Sequence, residues 1–148
     1  MAPIVSKIEI AGPPEEVFSY VTDPSRFPEW QAGVVSGDME GGPTPNVGSK
    51  CTTTRRIGGA ERAATSEVTE ISPPNRWAVR GVDGPIRALV DVTVEPLSES
   101  ARSRVTIAVD FEGHGIGKLL VPLVVRRQAA NEMPRNLQTL KERFESAA

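Results

Sequence analysis

The chain ends in a helix-length stretch, HGIGKLLVPLVVRRQAANEMPRNLQTLKERFESAA, residues 114–148, whose apolar residues decide how the rest of the fold closes. Each residue of an α-helix advances about 100° around the axis, so residues three and four apart share a face. On this basis the stretch carries two apolar stripes that are offset by roughly 80°. The first stripe contains Ile116, Leu119, Leu120, Leu123 and Val124, and the second contains Ala130, Met133, Leu137, Leu140 and Phe144.

Two prolines lie inside this stretch. Pro122 and Pro134 each remove one helical hydrogen bond and crowd the carbonyl group four residues earlier, so we expect a kink or break near each of them. A bent helix can still press both stripes onto one curved sheet. The second stripe has the spacing of a coiled coil, but two heptads are too few to support one. We therefore predict that both stripes face the core of the same molecule.

Ahead of this helix, the pattern of the chain predicts seven strands. Alternation of apolar and polar residues is cleanest in the last two, where Val90 and Val92, and then Ile107 and Val109, share a face. A sheet with one dry face and one wet face is typical of antiparallel pairing. The predicted strands are residues 4–11, 34–40, 49–57, 60–71, 76–82, 88–95 and 104–111.

Two short helices are predicted after the first strand, joined at Asp23. Pro14 and Pro24 suit the first position of each helix, because proline has no N–H group to satisfy there. Asp23 can cap the second helix. Further along, residues 41–48 have the glycine- and proline-rich composition of a loop, and Gly58-Gly59 suits a two-residue hairpin turn.

Composition excludes several classes of protein. A chain of 148 residues is the usual size of one domain, and we predict a single domain over residues 1–148. The net charge of −2 argues against a nucleic-acid partner. Cys51 is the only cysteine, which excludes an intrachain disulfide and a cysteine metal cluster. The sequence shows no secretory signal and no apolar run long enough for a bilayer. We expect a cytoplasmic protein without membrane insertion, either a monomer or a homodimer.

Four motifs stand out along the chain: AGPPEEVFSYVTDPSRFPEW (11–30), VGS (47–49), EVTEISPP (67–74) and NLQTLKERFE (136–145). They resemble motifs of polyketide cyclase/dehydrase-type proteins, which belong to the superfamily of START lipid-transfer domains and birch-pollen-allergen-like proteins (SRPBCC). The resemblance covers nearly the whole chain. It implies an α+β helix-grip fold, in which an antiparallel sheet of about seven strands, with two short helices after the first, wraps around a long C-terminal helix. It also implies an apolar cavity between sheet and helix.

Few residues suggest chemistry. Residues 113–118, GHGIGK, fail the glycine and hydroxyl positions of a phosphate loop, and we interpret them as a flexible strand-to-helix turn. His114 is the only histidine, and it is either a solvated loop residue or a general acid or base at the cavity mouth. Cys51 has no activating motif around it and is predicted to be a buried small side chain. We predict no metal site and no cofactor.

Arginines on the strands raise the question of which charged side chains face the interior of the sheet. Arg55 and Arg56 are neighbours, so one faces the sheet interior and the other faces solvent, and the sequence leaves open which. An inward arginine, there or at Arg80, can bind a carboxylate or enolate through two hydrogen bonds, or it can reach water at the end of the strand. Arg127 either snorkels past the core or lines the pocket.

The predicted ligand site lies where residues 116–127 face the sheet. Small residues expected to point inward, such as Ala78, Gly81 and Ala88, leave volume for a ligand. The two tryptophans are assigned to the pocket, although large aromatic residues are as often plain core. The predicted ligand-binding residues are Trp30, Thr53, Arg55, Trp77, Val90, Val92, Ile107, Leu119, Leu120, Leu123 and Arg127, and the catalytic candidates are His114, Arg55 and Arg80.

Two functions fit these predictions. The first is binding of a small hydrophobic or amphipathic molecule, lipid- or polyketide-like, without catalysis. The second is a cyclase, aromatase or dehydratase, that is, a lyase or isomerase with acid and base groups in the same cavity. Its candidate groups are Arg55 or Arg80, His114 and a hydroxyl such as that of Thr53. A protein-interaction role ranks last, since the sequence shows no exposed apolar patch.

Overall fold

The structure is a computed structural model that describes residues 3–40, 45–57, 59–97 and 101–147. It confirms the seven predicted strands, with bounds that differ from the prediction by at most two residues. Residues 41–44 of the predicted loop and Gly58 of the predicted hairpin turn lie outside the described residues. The strands are β1 Ile4–Ala11, β2 Val34–Met39, β3 Lys50–Ile57, β4 Ala60–Ser72, β5 Arg76–Gly81, β6 Ile86–Pro96 and β7 Arg102–Gly113.

All seven strands pair antiparallel in one sheet, in the order β1-β7-β6-β5-β4-β3-β2. Irregular pairing occurs between Val34 and Ser36 on β2 and between Val68 and Glu70 on β4. Such bulges bend a strand and increase its twist. The sheet is therefore curled, and its concave face receives the C-terminal helix.

The two short helices joined at Asp23 are confirmed. They are α1 Pro14–Val21 and α2 Phe27–Trp30, and a 3₁₀ turn over Pro24–Arg26 leads into α2. A carboxylate oxygen of Asp23 accepts a hydrogen bond from the backbone N–H of Ser25 at 3.0 Å, which caps the 3₁₀ turn. Both helices turn their apolar side chains towards the core.

The C-terminal helix has three parts: α3 Gly117–Leu120, a π-helical turn over Val121–Val125, and α4 Arg126–Ala147. The π-helical turn confirms the break expected near Pro122. Of the kink or break expected near Pro134, the break is wrong, because α4 continues through that residue. The helix is held on both sides of Pro134, since Met133 and Leu137 pack against the core. None of the helices in the described ranges is both long and apolar enough to cross a membrane.

Ile116, Leu119 and Leu123 of the first predicted stripe do not face the sheet, whereas Leu120 packs against the cluster that contains Ile86 of β6. The buried residues of this part of the helix are Val121 and Val125. Gly117 lies so close to the carbonyl group of Pro85 that no Cβ atom fits there, which fixes the inward side of the helix. The wider π-helical turn then keeps residues four apart on that side. Ile116, Leu119 and Leu123 are consequently 61%, 65% and 65% exposed.

The second stripe is confirmed for Leu137, Leu140 and Phe144, which are buried. Ala130 is exposed, so its inward placement was wrong. The packed region around these side chains also contains the fully buried pair formed by Val94 of β6 and Val105 of β7. We call this region the closed half of the core. It comprises Ile10, Val17, Val94, Val105, Leu140 and Phe144.

Candidate ligand-binding site

Beyond the closed half, a cavity of about 180 Å³ lies between the concave face of the sheet and the C-terminal helix. For scale, an engineered apolar cavity of roughly 150 Å³ accommodates benzene. Small residues on the wall keep this volume open, among them Ala64, Gly81 and Ala88. Gly81 and Ala88 were predicted there. Ala78 was wrongly placed inside, because Trp77, Val79 and Gly81 are the residues of β5 that face the cavity.

Most of the wall is apolar. Side chains from β5, β6 and β7 cover one side, and the C-terminal helix contributes the opposite side through Val125, Ala129 and Met133. We call this region the cavity half of the core. Its apolar sheet residues are Trp77, Val79, Val90, Val92, Ile107, Val109 and Phe111.

The structure brings seven of the eleven predicted ligand-binding residues to this wall. Trp30 and Trp77 are only 5% and 2% exposed, and Phe27 lies between them with ring centroids at 5.7 Å and 6.4 Å. Ligand binding by these residues stays a prediction. The seven are Trp30, Thr53, Arg55, Trp77, Val90, Val92 and Ile107.

The other four, all on the C-terminal helix, are not among the described residues that line the cavity. Leu119, Leu123 and Arg127 are exposed. Leu120 packs inward, but into a small separate cluster with Ile86, Val121 and Val125. The inward placement of Leu119, Leu123 and Arg127 was wrong because it assumed a regular α-helix from Ile116, whereas the helix is fixed at Gly117 and widened at Val121–Val125.

Two of the three catalytic candidates also lie outside the cavity. Arg80 is exposed on the outer face of the sheet, since it alternates with the inward residues of β5. His114 is exposed at the turn between β7 and α3, where its Nε2 atom lies 3.7 Å from a carboxylate oxygen of Glu112. Proton transfer requires hydrogen-bond reach, so neither residue serves a ligand inside the cavity.

Arg55 is the inward member of the arginine pair. It is half-buried, and its Nη1 atom donates a hydrogen bond to Oε1 of Gln31 at 3.0 Å. Burial lowers the pKa of Arg55, whereas the nearby carboxylate of Glu132 raises it. A guanidinium nevertheless stays charged in a protein. Arg56 is exposed, and its Nη2 atom lies 3.4 Å from a carboxylate oxygen of Glu61.

Arg62 is a cavity residue that the sequence reasoning missed. It stands directly opposite Arg55 in the β3–β4 ladder, so both side chains project from the same face of the sheet. The signal for it was present in the sequence. The two-residue turn predicted from the sequence implies that Ile57 pairs with Ala60, and the observed register with that pair also pairs Arg55 with Arg62.

Polar residues of the helix were also missed, because the two stripes predicted to face inward contain apolar residues only. Gln128, Glu132 and Asn136, spaced by four residues, all line the cavity close to Arg55 and Gln31. Gln128 donates a hydrogen bond to Glu132 at 3.3 Å. Asn136 accepts one from the backbone of Ala32 at 3.2 Å. Glu132 is the one carboxylate among the lining residues that the structure describes.

Cys51 also lines the cavity and is a buried small side chain, as predicted. Burial raises the pKa of its thiol to about 11, so the thiol is uncharged at neutral pH. In the described ranges, no three or more histidine, cysteine, aspartate or glutamate residues come together as a group able to hold a metal ion.

The fold is similar to solved structures over nearly the whole chain. A protein from Thermus thermophilus superposes with a TM-score of 0.77 at 20% identity, covering 99% of each chain. A START superfamily protein from Mycobacterium smegmatis gives a TM-score of 0.74 at 14% identity, covering 100% of each chain. The di-domain ARO/CYC protein BexL of the BE-7585A biosynthetic pathway gives 0.72 at 20% identity, covering 98% of this chain and 47% of BexL. At such identities the likeness shows the fold alone.

No curated protein matches the sequence. At the level of families there is a match, because the family described as polyketide cyclase / dehydrase and lipid transport matches residues 1–145. That range includes every residue of the cavity wall described above. The chain therefore belongs to the polyketide cyclase / dehydrase and lipid transport family, and it has a helix-grip fold.

Proposed function

We propose that this protein binds a small hydrophobic or amphipathic molecule in the cavity half of its core, without catalysing a reaction. The observation that carries the proposal is the cavity itself, about 180 Å³ inside mostly apolar walls. Protein interiors are close-packed, and by the scale of engineered core cavities an unfilled volume of this size costs roughly 4 kcal/mol. A ligand that fills the volume restores those contacts.

The titratable groups on the wall support binding over catalysis. Acid and base catalysis needs groups that exchange protons near neutral pH. The thiol of Cys51 stays protonated, and the guanidinium groups of Arg55, Arg56 and Arg62 stay charged. Among the described lining residues only Glu132 remains as a base, and it has no acid partner inside the cavity.

Native mass spectrometry of the protein as purified, together with an NMR titration, tests this proposal. The chain has two tryptophans and both line the cavity, so the two indole N–H signals report on it directly. We expect carried-over mass in the native spectrum, and shifts of both indole signals that saturate with toluene. Absence of both effects would contradict the proposal.

Alanine-to-leucine variants of adjacent strands provide a matched control. Ala88 of β6 lines the cavity, whereas Ala78 of β5 is not among the cavity-lining residues and borders the outer face beside Arg80. Ala88→Leu places new side-chain atoms in the volume and is expected to weaken toluene binding strongly. Ala78→Leu is expected to leave toluene binding unchanged. Equal effects of the two variants would mean that toluene binds elsewhere.

A cyclase or dehydratase is the second candidate function, and one observation favours it. Glu132 and Arg55 lie close enough to interact in the same cavity, so a carboxylate base and a cation able to stabilise an enolate are both present. Incubation with a linear poly-β-ketone thioester distinguishes the candidates. Our proposal expects wild type and Glu132→Gln to give product at the uncatalysed rate, while faster turnover by wild type alone would establish the enzyme.

A further inference from the structure

Hydrogen-bond donors without acceptors collect in the wall of the cavity. In the described part of the chain, three buried side-chain nitrogens have no hydrogen-bond partner: Nε1 of Trp30, Nε of Arg62 and Nε1 of Trp77. All three residues line the cavity. A buried donor without an acceptor destabilises a fold, and nearly all such groups in proteins are paired. What this wall lacks is therefore acceptor oxygens.

The charged side chains on the wall also carry an excess of positive charge, which matches the shortage of acceptor oxygens. Arg55 and Arg62 both face the cavity, and Glu132 is the one carboxylate among the described lining residues. Cys51 adds no negative charge, because burial keeps its thiol protonated. Arg56 is neutralised outside by Glu61. One positive charge is thus left over at this part of the wall.

The two inward arginines stand where a single anion can reach both. They are directly opposite each other on neighbouring strands, a position in which like charges repel. Arg55 donates a hydrogen bond to an uncharged amide, that of Gln31. Neither a hydrogen bond nor an ion pair within the described residues engages the Arg62 guanidinium. A carboxylate has two oxygens that match the paired donors of guanidinium groups.

We propose that the occupant of the cavity is a small amphipathic monocarboxylate, with its carboxylate bound by Arg55 and Arg62. This inference rests on the proposed binding function and names its ligand class. The hydrocarbon part lies further across the sheet, against the apolar residues of β5, β6 and β7 such as Trp77, Val92 and Ile107. The volume of about 180 Å³ suits one aromatic ring or a short alkyl chain.

Three aromatic probes test the proposal by calorimetry at neutral pH: 3-phenylpropanoate, its uncharged amide 3-phenylpropanamide, and the smaller hydrocarbon toluene. The acid and the amide share the same carbon skeleton and differ in charge and in the number of acceptor oxygens. We expect wild type to bind the acid at least roughly tenfold more tightly than the amide, since hydrogen bonds between charged partners exceed neutral ones.

Glutamine variants of three arginines show which side chains cause the preference for the acid over the amide. Arg62→Gln and Arg55→Gln are each expected to abolish the preference for the acid over the amide, and far-UV circular dichroism shows that both variants fold. Arg62→Lys is expected to retain part of the preference, because it keeps the charge without the planar pair of donors. Arg80→Gln removes the same charge from the outer face and is expected to keep the full preference.

The outcomes separate this inference from the proposed function. Wild-type binding of toluene together with equal affinity for acid and amide overturns the carboxylate site and leaves the hydrophobic cavity standing. A preference for the acid that Arg80→Gln removes and Arg62→Gln retains also overturns the site. Binding of no probe at all overturns the carboxylate site and the proposed function together.

Discussion

The closed half and the cavity half of the core meet within a single ladder of the sheet, the one between β6 and β7. Val94 of β6 pairs with Val105 of β7, and both are completely buried in the closed half. Two residues along, Val92 pairs with Ile107, and both line the cavity. The strands, the residue types and the degree of burial are nearly the same at the two positions. What differs is the size of the side chains that the rest of the molecule brings against them.

The two halves also differ in whether their buried polar groups have hydrogen-bond partners. In the closed half, the buried hydroxyl of Ser103 donates a hydrogen bond to the carbonyl oxygen of Gly12 at 2.7 Å. In the cavity half, Trp30, Arg62 and Trp77 each keep a buried donor without an acceptor. A folded protein satisfies its buried polar groups wherever only stability is at stake. The unsatisfied groups therefore lie in the half of the core to which we assign the proposed ligand.

The largest expected effect separates two leucines of the C-terminal helix. Leu140→Ala removes a side chain that is 1% exposed in the closed half, and we expect it to lower the free energy of unfolding by about 3 to 4 kcal/mol. Leu123→Ala is the matched control. Because Leu123 is 65% exposed, its loss is expected to cost less than about 0.5 kcal/mol. Urea denaturation measures both, and similar losses would mean that the helix is rotated differently.

A valine pair on β6 probes the boundary itself. Val94→Ala opens a new void in packed surroundings and should lower the free energy of unfolding by about 2.5 kcal/mol. Val92→Ala enlarges a void that already exists, where some contacts are already missing, and should cost about 1 to 1.5 kcal/mol. Thermal and urea unfolding of the two variants measure the difference. If Val92→Ala costs as much as Val94→Ala, the cavity half is packed like the closed half.

The pH dependence of the free energy of unfolding tests the burial of Cys51 in the cavity half. Burial raises the pKa of its thiol from the ordinary value of 9.0 to about 11, so between those values the folded protein retains a proton that the unfolded chain has released. The stability contributed below pH 9 is thus lost as the pH rises through the folded pKa, by roughly 2 kcal/mol in all. Denaturation at a series of alkaline pH values should show this loss in wild type and not in Cys51→Ala. Parallel curves for the two proteins would place the thiol in a watery environment.

The smallest effect has the opposite sign. Arg62→Gln removes one of two like charges that face each other across β3 and β4, so we expect the ligand-free protein to gain about 0.5 kcal/mol in the free energy of unfolding. Arg80→Gln, on the outer face, should change it less. A loss of stability in Arg62→Gln, measured by thermal unfolding, would show that Arg62 serves the fold and not a ligand.

The sequence predicted the sheet well because alternation alone decides which residues of a strand face the core. Val92 and Ile107 were placed correctly on that basis. Alternation was less informative on β4, because polar residues lie on both faces of that strand. The inward position of Arg62 follows only from its register with Arg55. Residue spacing misplaced Leu119 and Leu123, because the close contact of Gly117 with Pro85 is a tertiary feature that no helical period contains.

The most direct test of the division into two halves is a nuclear Overhauser measurement on protein with methyl labels, saturated with toluene. The account predicts contacts from toluene to the methyl groups of Val92 and Ile107, and none to those of Val94 and Val105, one pair further along the same ladder. Contacts to Val94 and Val105, or to the exposed Leu119 and Leu123 alone, would contradict it.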